Sequence, residues 1–205
     1  MRKYFAFVLF IFVVNAAAAG NKYSAGFEYA SINQQPTTSA DRIEVIEFFW
    51  YGCPHCFHFE PTLNRWLADK PSNVDFIQIP APLNKSWEIH TKVFYALELM
   101  GMQKQLHEKL FEAIHMKKMR LFDEKSITDF LVKQGVDREK FQKNLKSFAV
   151  SSKLNKARKM MQDYQVKGVP QLAVNGKYIT SGRMAGGYQQ MIDVVNFLVA
   201  KESKK

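Results

Sequence analysis

Cys53 and Cys56 are the only two cysteines in a chain of 205 residues, and they stand one helical turn apart in Cys53-Pro54-His55-Cys56. A strand-like run, Ile43 to Phe49, leads into them and a helix-like run from Phe57 leads out. That placement puts both sulfurs at the start of a helix, close enough to bridge. No further cysteine is available to build a structural framework, so the pair reads as one that makes and breaks a disulfide for other molecules. Zinc is the competing use of such a pair. Structural zinc takes four Cys or His ligands, and no second C-x-x-C accompanies His55 and His58, so no metal is expected.

Exchange needs a thiolate. Cys53 is the candidate nucleophile, because the free N–H groups and the positive end of the helix dipole favour negative charge at a helix start. Cys56, one turn further in behind Pro54 and His55, takes the resolving role: it closes on a mixed disulfide or is released from it, depending on direction. Pro54 fits the first turn, where its missing N–H costs little. A cationic or donating His55 stabilises the thiolate but not the disulfide, which favours the reduced form and makes the oxidised form an oxidant. His58, His90, His107 and His115 show no partner spacing and read as surface or packed histidines, with His90 in Trp87-x-x-His90 as a candidate border of the site.

The elements that must hold this pair follow from the pattern. Phe27 to Ala30 reads as a short edge strand, 33–40 as a loop, and Arg42 to Phe49 as a buried central strand, apolar at its end. Phe57, Phe59, Leu63 and Trp66 mark the helix after the cysteines, with a kink expected at Pro61. Val74 to Ile79 is a second core strand. From Ser86 to about Gln165 the periodicity is helical throughout, with Ser126 and Ser151-Ser152 as expected helix starts. Strand signal returns at Gln171 to Val174. Asn175-Gly176 is a strong hairpin turn, Lys177 to Thr180 pairs back, Gly182 to Gly187 is a connection, and Tyr188 to Lys201 is a final amphipathic helix.

The N-terminus bears on where the pair would work. Arg2 and Lys3 precede an apolar run, Tyr4 to Val14, which is shorter than the roughly 20 residues of a spanning helix. Ala17-x-Ala19 then offers a cleavage site, so residues 1–19 are expected to be a cleaved secretory signal and 20–205 one domain. Export implies an oxidising compartment, the bacterial periplasm first. The formal charge of +10 admits nucleic acid or anionic lipid as partners. However, the lysines of the helical half alternate with acids and apolar residues, which reads as a solvated surface, and no nucleic-acid partner is expected.

The order strand, helix, strand, helical block, hairpin, helix is the plan of an α/β thioredoxin fold carrying a large all-helical insertion. The core would be about 25–82 and 166–205, and the insertion about 83–165. Within it, Glu47-Phe48-Phe49-Trp50-Tyr51-Gly52-Cys53-Pro54-His55-Cys56 and Gly168-Val169-Pro170 followed by Val174-Asn175-Gly176-Lys177-Tyr178 resemble the DsbA family of periplasmic thiol:disulfide oxidants. The resemblance spans nearly the whole chain after residue 19. It implies a monomeric protein disulfide oxidoreductase that needs no cofactor beyond its Cys53–Cys56 disulfide. It also implies unfolded or folding exported proteins with cysteines as substrates, and a DsbB-like quinone-linked membrane oxidase as reoxidising partner.

The resemblance further implies roles for individual residues. Glu47 matches a buried acid that relays the proton of the second cysteine. Some family members pair this acid with a lysine on the neighbouring strand, where Gln78 stands in this chain. Pro170 matches a cis-proline beside the first cysteine, leaving the Val169 backbone to pair with an extended substrate. Trp50, Tyr51 and Met184 are expected on an apolar rim, and Phe57 either there or, more in keeping with its type, packed in the core. A DsbA cysteine is known to titrate near 3.5, against about 8.5 for a free thiol. That gap is worth about 6.8 kcal/mol. A helix dipole supplies at most about 2 kcal/mol, so direct hydrogen bonds must supply the rest. The residues leave three alternatives open: a reductase, an isomerase, for which the stretch before the first core strand is too short to hold the usual dimerisation module, and a peptide-binding holdase with a vestigial pair.

Overall fold

The computed structural model describes residues 22–39 and 41–204; the expected signal at 1–19 lies outside them. In chain order the elements are β1 (Ala30–Ser31), β2 (Ile43–Phe49), α1 (Pro54–Asp69), β3 (Val74–Pro80), α2 (Glu88–Leu99), α3 (Gln103–His115), α4 (Glu124–Lys133), α5 (Arg138–Leu145), α6 (Phe148–Asp163), β4 (Gln171–Val174), β5 (Tyr178–Ser181), α7 (Gly182–Ala185) and α8 (Tyr188–Glu202). The strands form one five-stranded sheet in the order β1-β5-β4-β2-β3. β2 runs parallel to β3 and antiparallel to β4, and the remaining pairs are antiparallel.

All seven residues of β2 are buried, as a β-branched and aromatic run flanked by two partners and covered on both faces should be. Two apolar cores result. Ile43 and Val45 pack with Phe59, Leu63 and Trp66 of α1 and with Met191, Val195 and Leu198 of α8. Ile46, Phe48 and Phe49 pack with the helices between β3 and β4, including Phe94, Leu97, Phe111 and Phe141, and both cysteines belong to this second core. The helix that carries the pair therefore sits where the two cores meet.

Several boundaries differ from the sequence reading for identifiable reasons. The edge strand is Ala30–Ser31 rather than 27–30. Residues 24–29 close on themselves through Gly26 N–H to Tyr29 O at 2.8 Å and Ser24 N–H to the Glu28 carboxylate at 2.9 Å, so pairing with β5 starts at Ala30. Phe27 is left exposed. The helix starts expected at Ser126 and Ser151-Ser152 fall inside helices. Asp123, Asp137 and Ser147 are the true caps, each accepting the backbone N–H three residues on. Ser126 instead donates its hydroxyl back to Asp123 at 2.7 Å. The hairpin turn is as read, with Asn175 and Gly176 both at positive φ, 52° and 65°. The connection after β5 contains the short helix α7.

Of the helical block's lysines, Lys125, Lys146, Lys153 and Lys159 pair with Asp129, Glu124, Glu98 and Asp163 at 2.8–3.0 Å, on side chains mostly open to water. Such pairs are worth little individually. No helix among the described residues is long and apolar enough to cross a membrane.

The Asp137 carboxylate accepts the Lys140 N–H at 2.8 Å and starts α5, whose Phe141 is fully buried. Asp137→Ala is expected to cost about 1 kcal/mol in a urea titration of the folded protein, with an unchanged slope, and Asp137→Asn to recover most of it.

Candidate functional site

β2 delivers the chain to Trp50-Tyr51-Gly52, and Cys53 closes the turn with its N–H on Trp50 O at 2.9 Å. Cys53 is the N-cap of α1, in extended conformation, and its sulfur accepts the Cys56 N–H at 3.3 Å. The thiol thus stands where a serine or aspartate oxygen normally caps a helix. Pro54 occupies the first helical position, so the nearest N–H groups offered to the sulfur are those of His55 and Cys56. Gly52 is required by a close approach: a Cβ there would lie 2.4 Å from the Trp50 indole, which stacks on Trp87 at 4.0 Å between ring centres.

The two thiols are in unlike surroundings. Cys53 is 7% exposed and Cys56 is fully buried. The Cys53 thiol is lowered from 9.0 to about 6. The hydrogen bond from the Cys56 thiol is the main cause, joined by the backbone N–H groups of Cys56 and His55 and by the charge of His55, all against a contrary effect of burial. Cys56 is pushed up, first by burial, then by its bond to Cys53 and the negative charges of Cys53 and Glu47. The Cys53 value lies well below a free thiol and above the value near 3.5 known for a DsbA cysteine.

The Val169-Pro170 peptide is cis, and the Cys53 thiol donates to Val169 O at 3.5 Å. His55, Lys167, Val169, Pro170, Arg183 and Tyr188 are among the residues lining a groove of about 560 Å³ alongside. His55 is exposed, with Nδ1 3.3 Å from the Tyr188 hydroxyl.

Glu47 is fully buried in β2 and lies opposite Gln78 of β3, which donates to Glu47 Oε2 at 2.9 Å. Its other oxygen is buried with no hydrogen-bond partner among the described residues. Burial raises the Glu47 carboxyl well above the usual range, the charge of Glu60 raises it further, and the Gln78 bond only partly opposes them. A polar cluster extends from here that the sequence reading did not find. Gln78 also meets His107 Nε2 at 3.2 Å, His107 Nε2 lies 3.4 Å from Glu60, and His107 Nδ1 lies 3.0 Å from the Tyr51 hydroxyl.

Tyr51, expected on an apolar rim, is instead buried, because its hydroxyl is used inside this cluster. Trp50 and Phe57 are partly buried. His90 is buried against Trp50 and Tyr51, with Nε2 2.6 Å from Leu121 O, and burial lowers it to about 4. His115 stacks on Phe57 and reaches Tyr51 O at 2.8 Å. These contacts join residues 31 to 64 positions apart, and no local spacing announces them. Among the described residues no group of three or more His, Cys, Asp or Glu is arranged to hold a metal ion.

A thiol pair with one sulfur activated at a helix N-terminus, beside a cis-proline loop on a thioredoxin-type sheet, defines a thiol:disulfide oxidoreductase that acts through its own cysteines. The family described as DSBA-like thioredoxin domain matches residues 44–198. The chain is 41% identical over 187 residues to the thiol:disulfide interchange protein DsbA of Pseudomonas aeruginosa, covering 91% of this chain and 89% of that one. It is 36% identical to the DsbA of Burkholderia cepacia, covering 94% and 91%. The crystal structure of Pseudomonas aeruginosa DsbA superposes with a TM-score of 0.86 at 40% identity, covering 91% of this chain and 99% of that one. The oxidoreductase DsbA from Xylella fastidiosa gives 0.83 at 28%, covering 89% and 99%. The chain belongs to the DsbA-like thioredoxin family.

Thiolate absorbance of the reduced protein should show one cysteine ionising with a midpoint of about 6 and the other staying protonated at alkaline pH. The sign for stability follows. A folded-state value of about 6, below the unfolded value of about 8.5, gives the reduced protein stability that is complete above the unfolded value and lost as pH falls through 6. The stability of the reduced protein relative to Cys53→Ser is therefore expected to rise with pH between these limits, and a flat difference would contradict the assignment.

Proposed function

We propose that the protein is a periplasmic dithiol oxidant that donates its Cys53–Cys56 disulfide to exported proteins as they fold. The observation that carries this reading is the asymmetry of the pair, with Cys53 lowered to about 6 and Cys56 raised. A substrate thiolate attacks Cys53 Sγ, the Cys53–Cys56 bond breaks, and a mixed disulfide forms at Cys53. Cys56 leaves as a thiolate and takes up a proton, because its buried site disfavours charge. Glu47, whose carboxyl burial pushes towards the neutral form, is the proton source. A second substrate thiolate then attacks the substrate sulfur of the mixed disulfide, and Cys53 departs as the stabilised thiolate. Two electrons pass to the enzyme pair and the substrate gains a disulfide. A leaving thiol of low pKa departs faster, so the helix N-terminus and His55 favour the forward direction in both rate and equilibrium.

Substrate selection on this reading uses backbone pairing at Val169, beside the cis Pro170, with little dependence on substrate side chains. Reoxidation falls to a DsbB-like quinone-linked oxidase of the inner membrane. The protein works as a monomer, without nucleic acid and with no cofactor besides its own disulfide. Residues 1–19 serve as the export signal, and 20–205 form a single domain whose helical block is an insertion in the thioredoxin core. A second reading, a reductase, draws on one observation: a Cys53 value of about 6 lies closer to the value near 7 of thioredoxin than to 3.5.

The roles are separable by trapping. Reduced Cys56→Ser protein mixed with a disulfide-bonded peptide is expected to accumulate a covalent adduct at Cys53, read by mass. Cys53→Ser should accumulate far less, and the unaltered pair little, because Cys56 resolves the adduct. Equal adducts on the two single variants would overturn the assignment of nucleophile and resolving thiol.

A further inference from the structure

His55 is the one side chain between the cysteines able to carry charge, and it is exposed, so its effect on Cys53 depends on what holds it in place. Its Nδ1 lies 3.3 Å from the hydroxyl of Tyr188. Tyr188 is the first residue of α8, more than a hundred positions along the chain from His55. Its ring is itself held: it packs on Phe59 of α1 at 5.6 Å between centres, and its edge lies where a Cβ on Gly182 would come within 3.3 Å. The absence of a side chain at Gly182 leaves the space the ring uses. The hydroxyl is thereby presented from a packed ring to an exposed imidazole at the mouth of the groove, which both residues line.

We propose that Tyr188 is a positioning residue for the exchange reaction: its hydroxyl anchors His55 Nδ1 and keeps the imidazole oriented to favour the Cys53 thiolate. The proposal rests on the reading of His55 as a stabiliser of that thiolate. The bond persists in both charge states of the ring. A neutral imidazole accepts the phenol O–H at Nδ1, and an imidazolium donates its Nδ1–H to the phenol oxygen. In either case the remaining freedom of the ring is reduced, so less ordering is required when Cys53 ionises. The phenol is raised, chiefly by burial and then by the negative charges of Cys53 and Cys56, which places the hydroxyl within the field of the reacting sulfurs and keeps its proton at working pH.

Tyr188→Phe removes the hydroxyl and keeps the ring against Phe59. The test is a cycle of four reduced proteins: unaltered, Tyr188→Phe, His55→Ala and the double variant. In each, the Cys53 titration midpoint is read by thiolate absorbance and the equilibrium with glutathione is read at pH 7. The expected result is a higher midpoint in Tyr188→Phe and an equilibrium constant for reduction lower by about two- to fivefold, the scale of one partly exposed hydrogen bond. In the His55→Ala background the same change should have no effect. A midpoint moved by His55→Ala but not by Tyr188→Phe overturns the role of Tyr188 and leaves that of His55 standing. An equal change from Tyr188→Phe with and without His55 also overturns it, since the hydroxyl would then act independently of the imidazole. No change from His55→Ala removes the reading on which the proposal rests.

Discussion

The Cys56 N–H donates to the Cys53 sulfur, and much of the molecule can be understood as the means of keeping that bond in place. A sulfur serving as helix cap receives the backbone donors that every helix leaves unsatisfied at its start. Those donors stabilise a thiolate more than a thiol, and they stabilise a disulfide least. Part of the preference for the reduced form is thus built into the backbone, and the Cys56 thiol, the largest contributor, adds its own hydrogen bond to the same sulfur. It requires that α1 begin at one residue and no other. The fully buried β2, the close packing of Trp50 over Gly52, and the proline at the first helical position all fix that start.

Beneath the pair the structure accepts a cost. Glu47 is buried with one oxygen lacking a partner among the described residues, and Glu60 and His107 are buried nearby. Polar groups in such positions destabilise a fold unless they are satisfied, and this cluster is only partly satisfied. Replacing the lysine implied by the family resemblance with Gln78 supplies a hydrogen bond without a compensating charge, so the Glu47 carboxyl is held towards its neutral, proton-bearing form. On the proposed mechanism, Glu47 serves as the proton source for Cys56, which would give a functional reason to bear the cost.

Much of this was legible in the residues. The cysteine pair, the apolar run before it, the Asn175-Gly176 turn and the amphipathic last helix each carry a local signal with a physical cause, and β2, β4 and α8 lie close to where those signals place them. Two helix starts in the insertion differ from the sequence reading because Asp123 competes as a cap with Ser126, and Ser147 with Ser151-Ser152, and only the geometry of the turn decides between them. The polar cluster was not legible at all. Tyr51, Gln78, Glu60 and His107 come from β2's end, β3, α1 and α3, and each alone looks like an ordinary packed or surface residue. The Tyr188–His55 bond is hidden for the same reason, since it exists only because the sheet brings the two helix starts to one edge of the groove.

The central claim is that stabilising the Cys53 thiolate makes the oxidised protein a donor of disulfides. The reduction potential of the Cys53–Cys56 pair against a glutathione buffer tests it most directly. The account predicts a value close to the roughly −120 mV known for DsbA. A value near −270 mV, the range of thioredoxin, would reverse the direction of electron flow and contradict it.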